Sequence, residues 1–362
     1  MNSDNDIENK TGLIEQEPSA REMMDCKRVF TRKNVPAPDV EEAWRLFGDK
    51  AGISAEVPKR KNRRTLFIGF AAGVAASVAI LLGVYQLFIA SHPVQVFEAA
   101  QSINGISLTN AAGKSLNLSN VDSADNTLLA QGVKANKDSL DYRSAKLDAL
   151  PKVQTVTIPR GQDYQVVLSD GTKVWLNADS KLIFPDHFTG AKREVELEGE
   201  AYFEVAKDKA HPFVVNNKMF STEVLGTKFN MKTYDASNAS VVLIEGKVSL
   251  ESKKSKVRKI IVPGQKAQLT SAGKFNVQSV DTYSYTQWKD GYFYFNNVPL
   301  VDIMQELGRW YNVDIEIENP KTMHTRLHFV ADRNQGLAAA LKNLNAIGDV
   351  TATMNSNKVV VR

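Results

Sequence analysis

Residues 65–90, TLFIGFAAGVAASVAILLGVYQLFIA, hold no charged side chain, and only Thr65, Ser77 and Gln86 interrupt the apolar run. As a helix this stretch reaches about 39 Å, more than the roughly 30 Å hydrocarbon core of a bilayer, which predicts one tilted pass through a membrane. It has no amphipathic stripe, so a core helix of this kind would need protein on every side. Lys59, Arg60, Lys61, Arg63 and Arg64 stand immediately before it, and no Lys or Arg follows until Lys114. The positive-inside rule then keeps the N-terminal tail in the cytoplasm and exports residues 91 onward. A cleaved signal peptide would begin close to a basic N-terminus and carry an apolar run of roughly 7 to 15 residues, whereas this run is preceded by a long polar tail. Small residues (Gly69, Ala71, Ala72, Gly73, Ala75, Ala76, Ser77) crowd its cytoplasmic half and large ones its exported half. Such a half-span suits close helix packing, and it would also suit an intramembrane protease.

The 362 residues leave room for a short tail and two ordinary domains after the span. Net charge is a mild +4. Residues 1–64 carry 13 Lys+Arg against 12 Asp+Glu, and without the juxtamembrane cluster the tail is acidic, a poor footprint for direct nucleic-acid binding. The single cysteine, Cys26, lies in that tail, so the exported part has no disulfide framework and must be held by buried apolar area. Within the tail, residues 38–48 (PDVEEAWRLFG) predict a helix: Asp39 and Glu42 form a capping-box pattern and Gly48 suits the stop. Val40, Trp44 and Phe47 share one face of it. A tail this short offers little to bury them against, so they are candidates for binding a partner protein.

After the span, residues 94–101 read as a prolonged helix or a stalk. Residues 102–150 carry short strands at 105–109 and 115–118, and 136–149 reads as an exposed linker that would suit a periplasmic protease. From 153 to 280 short alternating strands are punctuated by glycine turns (Asp170-Gly171, Glu198-Gly199, Gly226-Thr227, Glu245-Gly246, Pro263-Gly264), which predicts an all-β domain, either a β-roll or short solenoid or a sandwich. Residues 285–362 switch to the order β-α-β-β-α-β-β, a compact α+β domain with two helices on one face of a small sheet. The fold class is thus mainly β with an α+β C-terminal domain behind a tail and one membrane helix.

Several motifs in a fixed order then become recognisable: Pro159-Arg160-Gly161, residues 167–180 (VLSDGTKVWLNADS), residues 193–205 (REVELEGEAYFEV), His211-Pro212-Phe213, residues 225–230 (LGTKFN) and Pro263-Gly264-Gln265. This set closely resembles the FecR family of transmembrane anti-sigma factors. Val298-Pro299-Leu300, Leu307, Trp310-Tyr311 and Val313 look like the companion domain that follows such cores, similar to the short N-terminal domain of secretins and TonB-dependent receptors. The resemblance covers roughly residues 66–362. It implies an inner-membrane protein whose tail holds an extracytoplasmic-function sigma factor, and whose periplasmic part receives a signal from the N-terminal domain of a TonB-dependent outer-membrane transporter. Family members carry a longer helical sigma-binding domain than the single helix signalled here.

Nothing in the sequence points to an enzyme, a cofactor or a metal. Glu194, Glu196 and Glu198 alternate beside Lys192 and Arg193 as the solvated face of a strand would, whereas a glycosidase needs carboxylates opposed across a cleft. His324 and His328, four apart in a strand, would stand about 13 Å apart, too far to share an ion. Nucleophile elbow, phosphate loop and dinucleotide fingerprint are missing. In the aromatic strand 292–295 one pair of rings must be core. Tyr292 and Tyr294, if outward, are candidates for a protein contact, and an exposed edge at Val359 and Val361 offers a second route by strand addition. A membrane-anchored carbohydrate-binding or envelope-assembly β-domain is the alternative reading.

Overall fold

The computed structural model describes residues 93–100, 105–119, 131–146 and 148–362, together with Glu42, Arg45, Leu46, Lys50, Ser77, Val78, Ile80 and Leu81. The chain divides into two compact units, residues 1–84 and 85–362. In the first unit the eight described residues are helical, with Val78, Ile80 and Leu81 exposed. Among the described residues no helix is long and apolar enough to cross a membrane. The expected sigma-binding face (Val40, Trp44, Phe47), the cations Lys59, Arg60, Lys61, Arg63 and Arg64, and all but four positions of 65–90 lie outside the described residues.

The second unit is mainly β. Among the described residues one nine-stranded sheet runs in space Arg258–Ile261, Val248–Ser252, Phe220–Val224, Phe213–Asn216, Arg193–Glu198, Ser180–Pro185, Val153–Ile158, Ser107–Asn110, Ser115–Asn117. The other runs Phe275–Ser279, Gln265–Leu269, Ser240–Glu245, Lys228–Lys232, Glu200–Glu204, Lys173–Leu176, Tyr164–Val167, Ser139–Asp141, Lys134–Ala135. From Val153 onward spatial order follows sequence order in both. The chain lays one or two strands in one sheet, crosses, and lays the next in the other, which makes the domain an open, progressively wound roll of two packed sheets. Alternation drives it: Ser180–Pro185 buries Ser180, Leu182 and Phe184, and Glu200–Glu204 buries four of its five residues. One apolar cluster draws on both sheets, with Phe203 stacked on Phe229 at 4.9 Å and Phe220 edge-on to Phe275 across the layers at 5.7 Å.

Two expectations for residues 91–150 do not hold. Residues 136–149 are not a free linker, because Ser139–Asp141 pairs in parallel with Tyr164–Val167 and Leu140 is fully buried. Nor do residues 94–100 extend a helix. Val94–Phe97 is a strand, here β1, and it pairs antiparallel with a strand of the C-terminal domain.

That domain follows the expected order: β2 (Tyr292–Pro299), α1 (Leu300–Tyr311), β3 (Asp314–Ile317), β4 (Arg326–Asp332), α2 (Leu337–Asn345), β5 (Ala352–Asn355) and β6 (Lys358–Val361). Its strands form two sheets rather than one, a ribbon of β2 with β4 and a four-stranded sheet ordered β1-β3-β6-β5. The edge expected at Val359 and Val361 is therefore absent. Strand β6 lies between β3 and β5, and both valines are fully buried. The reason is that β6 is paired on both sides, in parallel with β3 and antiparallel with β5, while the far side of β3 is closed by β1 from more than two hundred residues upstream. Tyr292 does face outward and Tyr294 is half-buried, edge-on to Tyr283 and His328, while Phe293 and Phe295 pack inward.

Candidate functional site

The roll and the C-terminal domain have separate apolar cores, and what joins them is polar. At the centre lies Glu200, the first residue after the Gly199 turn. Gly199 has φ 102°, and a Cβ there would come within 2.3 Å of Ser180 Oγ, so only glycine brings Glu200 so close to the neighbouring turn. The buried Glu200 carboxylate accepts from Asn177 Nδ2 and Asn230 Nδ2, each at 2.9 Å. Asn230 Oδ1 accepts from Trp288 Nε1 at 3.1 Å, and Asn177 Oδ1 accepts from Arg333 Nη1 at 3.0 Å. Glu200 thereby fixes the two amides, of which Asn177 holds an arginine of the C-terminal domain and Asn230 holds Trp288. Arg333 is boxed by the rings of Trp310 at 4.5 Å and Phe293 at 4.8 Å, and its backbone carbonyl accepts from Trp310 Nε1 and Tyr311 Oη. Burial lowers its guanidinium pKa from the ordinary value.

Helix α1 supplies the rest. It buries Leu300, Ile303, Met304, Leu307 and Gly308 in its own domain, and its remaining buried side chains, Glu306 and Arg309, meet the roll. Lys232 Nζ donates to Glu306 Oε1, and Arg309 Nη1 lies 3.2 Å from the same oxygen. The Arg309 guanidinium stacks on Tyr234 at 3.7 Å, and Tyr234 Oη donates to the Ala178 carbonyl. Burial would raise the Glu306 carboxyl, but Lys232 and Arg309 outweigh it and hold the pKa down at about 2. Burial alone would lower Lys232, whereas Glu306 and Glu200 keep it raised. Glu306 thereby favours the charged forms of Lys232 and Arg309, and they favour its own.

Beside it opens a cleft of about 710 Å³, lined among others by Lys232, Lys266, Tyr285, Trp288, Tyr294 and Arg326. Burial, and then the charge of Lys232, push the Lys266 ammonium below its usual pKa, and it lies 5.4 Å from the Tyr285 ring centre. Among the described residues no group of three or more His, Cys, Asp or Glu could hold a metal ion. Glu194 is exposed and Glu196 and Glu198 half-exposed, with Glu198 paired to Lys181 and Lys218. Arg193, read with them as solvated, is instead buried. It pairs with Asp170 at 2.6 Å and donates to the carbonyls of His211 and Ala206. His324 ends a short 3-10 turn while His328 lies in β4.

Sequence reasoning missed the joint. Asn177, Glu200 and Asn230 sit inside the quoted motifs, which was the available signal. Glu306 and Arg309 carry none, since charged residues beside an apolar helix stripe look solvated.

The comparisons agree with this division. Residues 154–249 match the model described as FecR protein, and residues 292–361 match that described as FecR, C-terminal. Two crystal structures, at 1.65 and 2.50 Å resolution, of a candidate anti-sigma factor from Parabacteroides distasonis ATCC 8503 are similar to this chain. Each is 29% identical with a TM-score of 0.52, covering 57% and 58% of this chain and 98% of its own. No curated protein matches.

Proposed function

We propose that this chain, which belongs to the FecR family, is a single-pass inner-membrane regulator of an extracytoplasmic-function sigma factor. Residues 1–64 hold the sigma factor, residues 65–90 cross the membrane, and the exported C-terminal domain receives the N-terminal signalling domain of a TonB-dependent outer-membrane transporter. The uncharged run with its five preceding cations supports the topology. The likeness to the Parabacteroides protein supports the sigma partner.

The observation that carries the relay is the buried joint of Glu200, Lys232, Glu306, Arg309 and Arg333. A partner docking on the C-terminal domain cannot shift α1 without disturbing ion pairs rooted in the roll, because a buried charge that loses its partner costs several kcal/mol. Loosening of the roll then frees residues 139–142, which the folded sheet pairs and partly buries, for periplasmic cleavage. Intramembrane cleavage in the small-residue half of 65–90 follows and frees the tail. No catalytic group or cofactor of the chain itself is needed.

The test is co-purification of the full chain with the sigma factor encoded beside it. The wild type retains it, and Trp44→Asp with Phe47→Asp releases it. Failure of the wild type to retain any sigma factor sinks the assignment. The aromatic, amide-bearing cleft beside Trp288 and Tyr285 favours glycan binding as the second reading, and saturable oligosaccharide binding by the purified chain would support it.

A further inference from the structure

Strand β1 is short and irregular. It pairs Val94 with Ile317 and Gln95 with Glu316, then slips by one residue so that Phe97 faces Ile315. An edge strand of four residues with a bulge has few ladder bonds to hold it. Its side chains nevertheless enter a shaped site. The Phe97 ring lies on Gly308 of α1, where an added Cβ would stand 2.6 Å from Phe97 Cδ1 and 2.9 Å from Ile315 Cγ1. A glycine inside a helix costs stability, so its place here is explained by the ring above it. Two guanidinium groups cover that ring, Arg160 of the roll at 4.6 Å and Arg309 of the joint at 5.6 Å. The chain beyond β1 is clamped as well. Ala99 and Ala100 donate to Asp314 and Asn312, and Arg160 Nη1 donates to the Glu98 carbonyl at 2.7 Å.

The geometry points to the β3 edge and its Phe97 slot as an exchange site for a partner strand. The occupant is an extended segment of a protein partner that carries alternating β-branched side chains and one aromatic ring, the chemistry that Val94–Phe97 supplies in cis. It pairs with β3 in place of β1, and its ring enters the slot over Gly308. Two consequences follow. Residues 94–100 come free of both domains at once, because their anchors lie on both. Arg309 exchanges the Phe97 ring for the partner's while still bound to Glu306, so the position of the incoming ring is felt at the joint. This deepens the reading above and rests on it only for the natural source of the strand. The alternative strand-addition site, the open edge of β5 with exposed Met354, needs no displacement and so would leave β1 in place.

The probe is a fluorescein-labelled peptide copying residues 93–100, titrated by anisotropy into the purified full chain. In the wild type the slot is filled, so the peptide binds weakly. Phe97→Ala weakens the cis strand and raises peptide affinity by about tenfold or more, since a larger fraction of molecules has an open edge. A second variant locks the edge: Gln95→Cys with Glu316→Cys, in a Cys26→Ser background, joins residues that face each other across the ladder at a spacing a disulfide spans. Oxidised, it binds no peptide, and reduction restores binding. Wild-type affinity in folded Phe97→Ala, or undiminished binding by the oxidised lock, overturns the proposal. Peptide capture without sigma-factor retention sinks the functional reading and leaves the edge standing, and the reverse result does the opposite.

Discussion

Arg193 shows how far a charged residue can depart from its neighbours. It shares a strand with Glu194 and Glu196, yet its guanidinium is buried against Asp170 of the Asp170-Gly171 turn and two carbonyls, with Phe213 5.3 Å from the guanidinium carbon. Arg193→Met keeps the stem's packing but leaves the Asp170 carboxylate without its partner. The expected loss is about 3 kcal/mol in urea denaturation at pH 7, the scale for one half of a buried pair, and a loss below half that would place Asp170 in solvent. Glu306 gives the pH-dependent counterpart. Its folded pKa of about 2 lies below the ordinary 4.5, so its stabilisation is complete above about pH 4.5 and fades as pH falls toward 2. Glu306→Gln should cost about 3–5 kcal/mol at pH 7 by stranding Lys232 and Arg309. The gap between wild type and variant should narrow from pH 5 to pH 3. A gap that stays constant over that range would mean that Glu306 is not the group titrating.

At the scale of elements, the roll was the most legible part of the chain, because alternating strands closed by glycine turns have a period that can be counted. Ser180–Pro185 and Phe275–Ser279 are its least legible strands, the first because its buried set begins with a serine and it ends in proline, the second because polar residues alternate along an edge. Strand β1 escaped for another reason. Four residues behind a long apolar run carry too little period to separate strand from helix, and their partner lies more than two hundred residues away. The glycine of α1 offered a clue that only the structure makes readable. Gly308→Ala raises helix propensity, so an isolated α1 should become more helical, yet the added methyl meets Phe97 and Ile315. In the folded chain the variant should lose about 1–3 kcal/mol by overpacking, and amides of Val94–Phe97 should exchange faster while those of β6 stay protected. Stabilisation by Gly308→Ala would show that the ring moves aside freely.

For residues 85–362 as a whole, two apolar cores are joined through a few buried and half-buried charges. The apolar cluster of the roll and that of the C-terminal domain share no residue. Cooperativity between them therefore depends on the joint, where Lys232 and Arg333 reach across to Glu306 and Asn177. Such contacts couple two bodies strongly, because breaking one strands its partner in a low dielectric, while adding little net stability to either. The wild-type unit should accordingly melt in one calorimetric transition whose van't Hoff and calorimetric enthalpies agree. Lys232→Ala with Arg333→Ala removes the two ties to Glu306 and Asn177 and leaves the apolar clusters unchanged, so two transitions should be resolved. The lower one should belong to the C-terminal domain, which has the smaller apolar cluster and depends on β1 to complete its sheet. A single transition in the double variant would mean that the halves are coupled by some other route. Two transitions would give the relay its physical basis: a joint that transmits while its ions stay paired and separates when a partner's strand pulls one of them out of place.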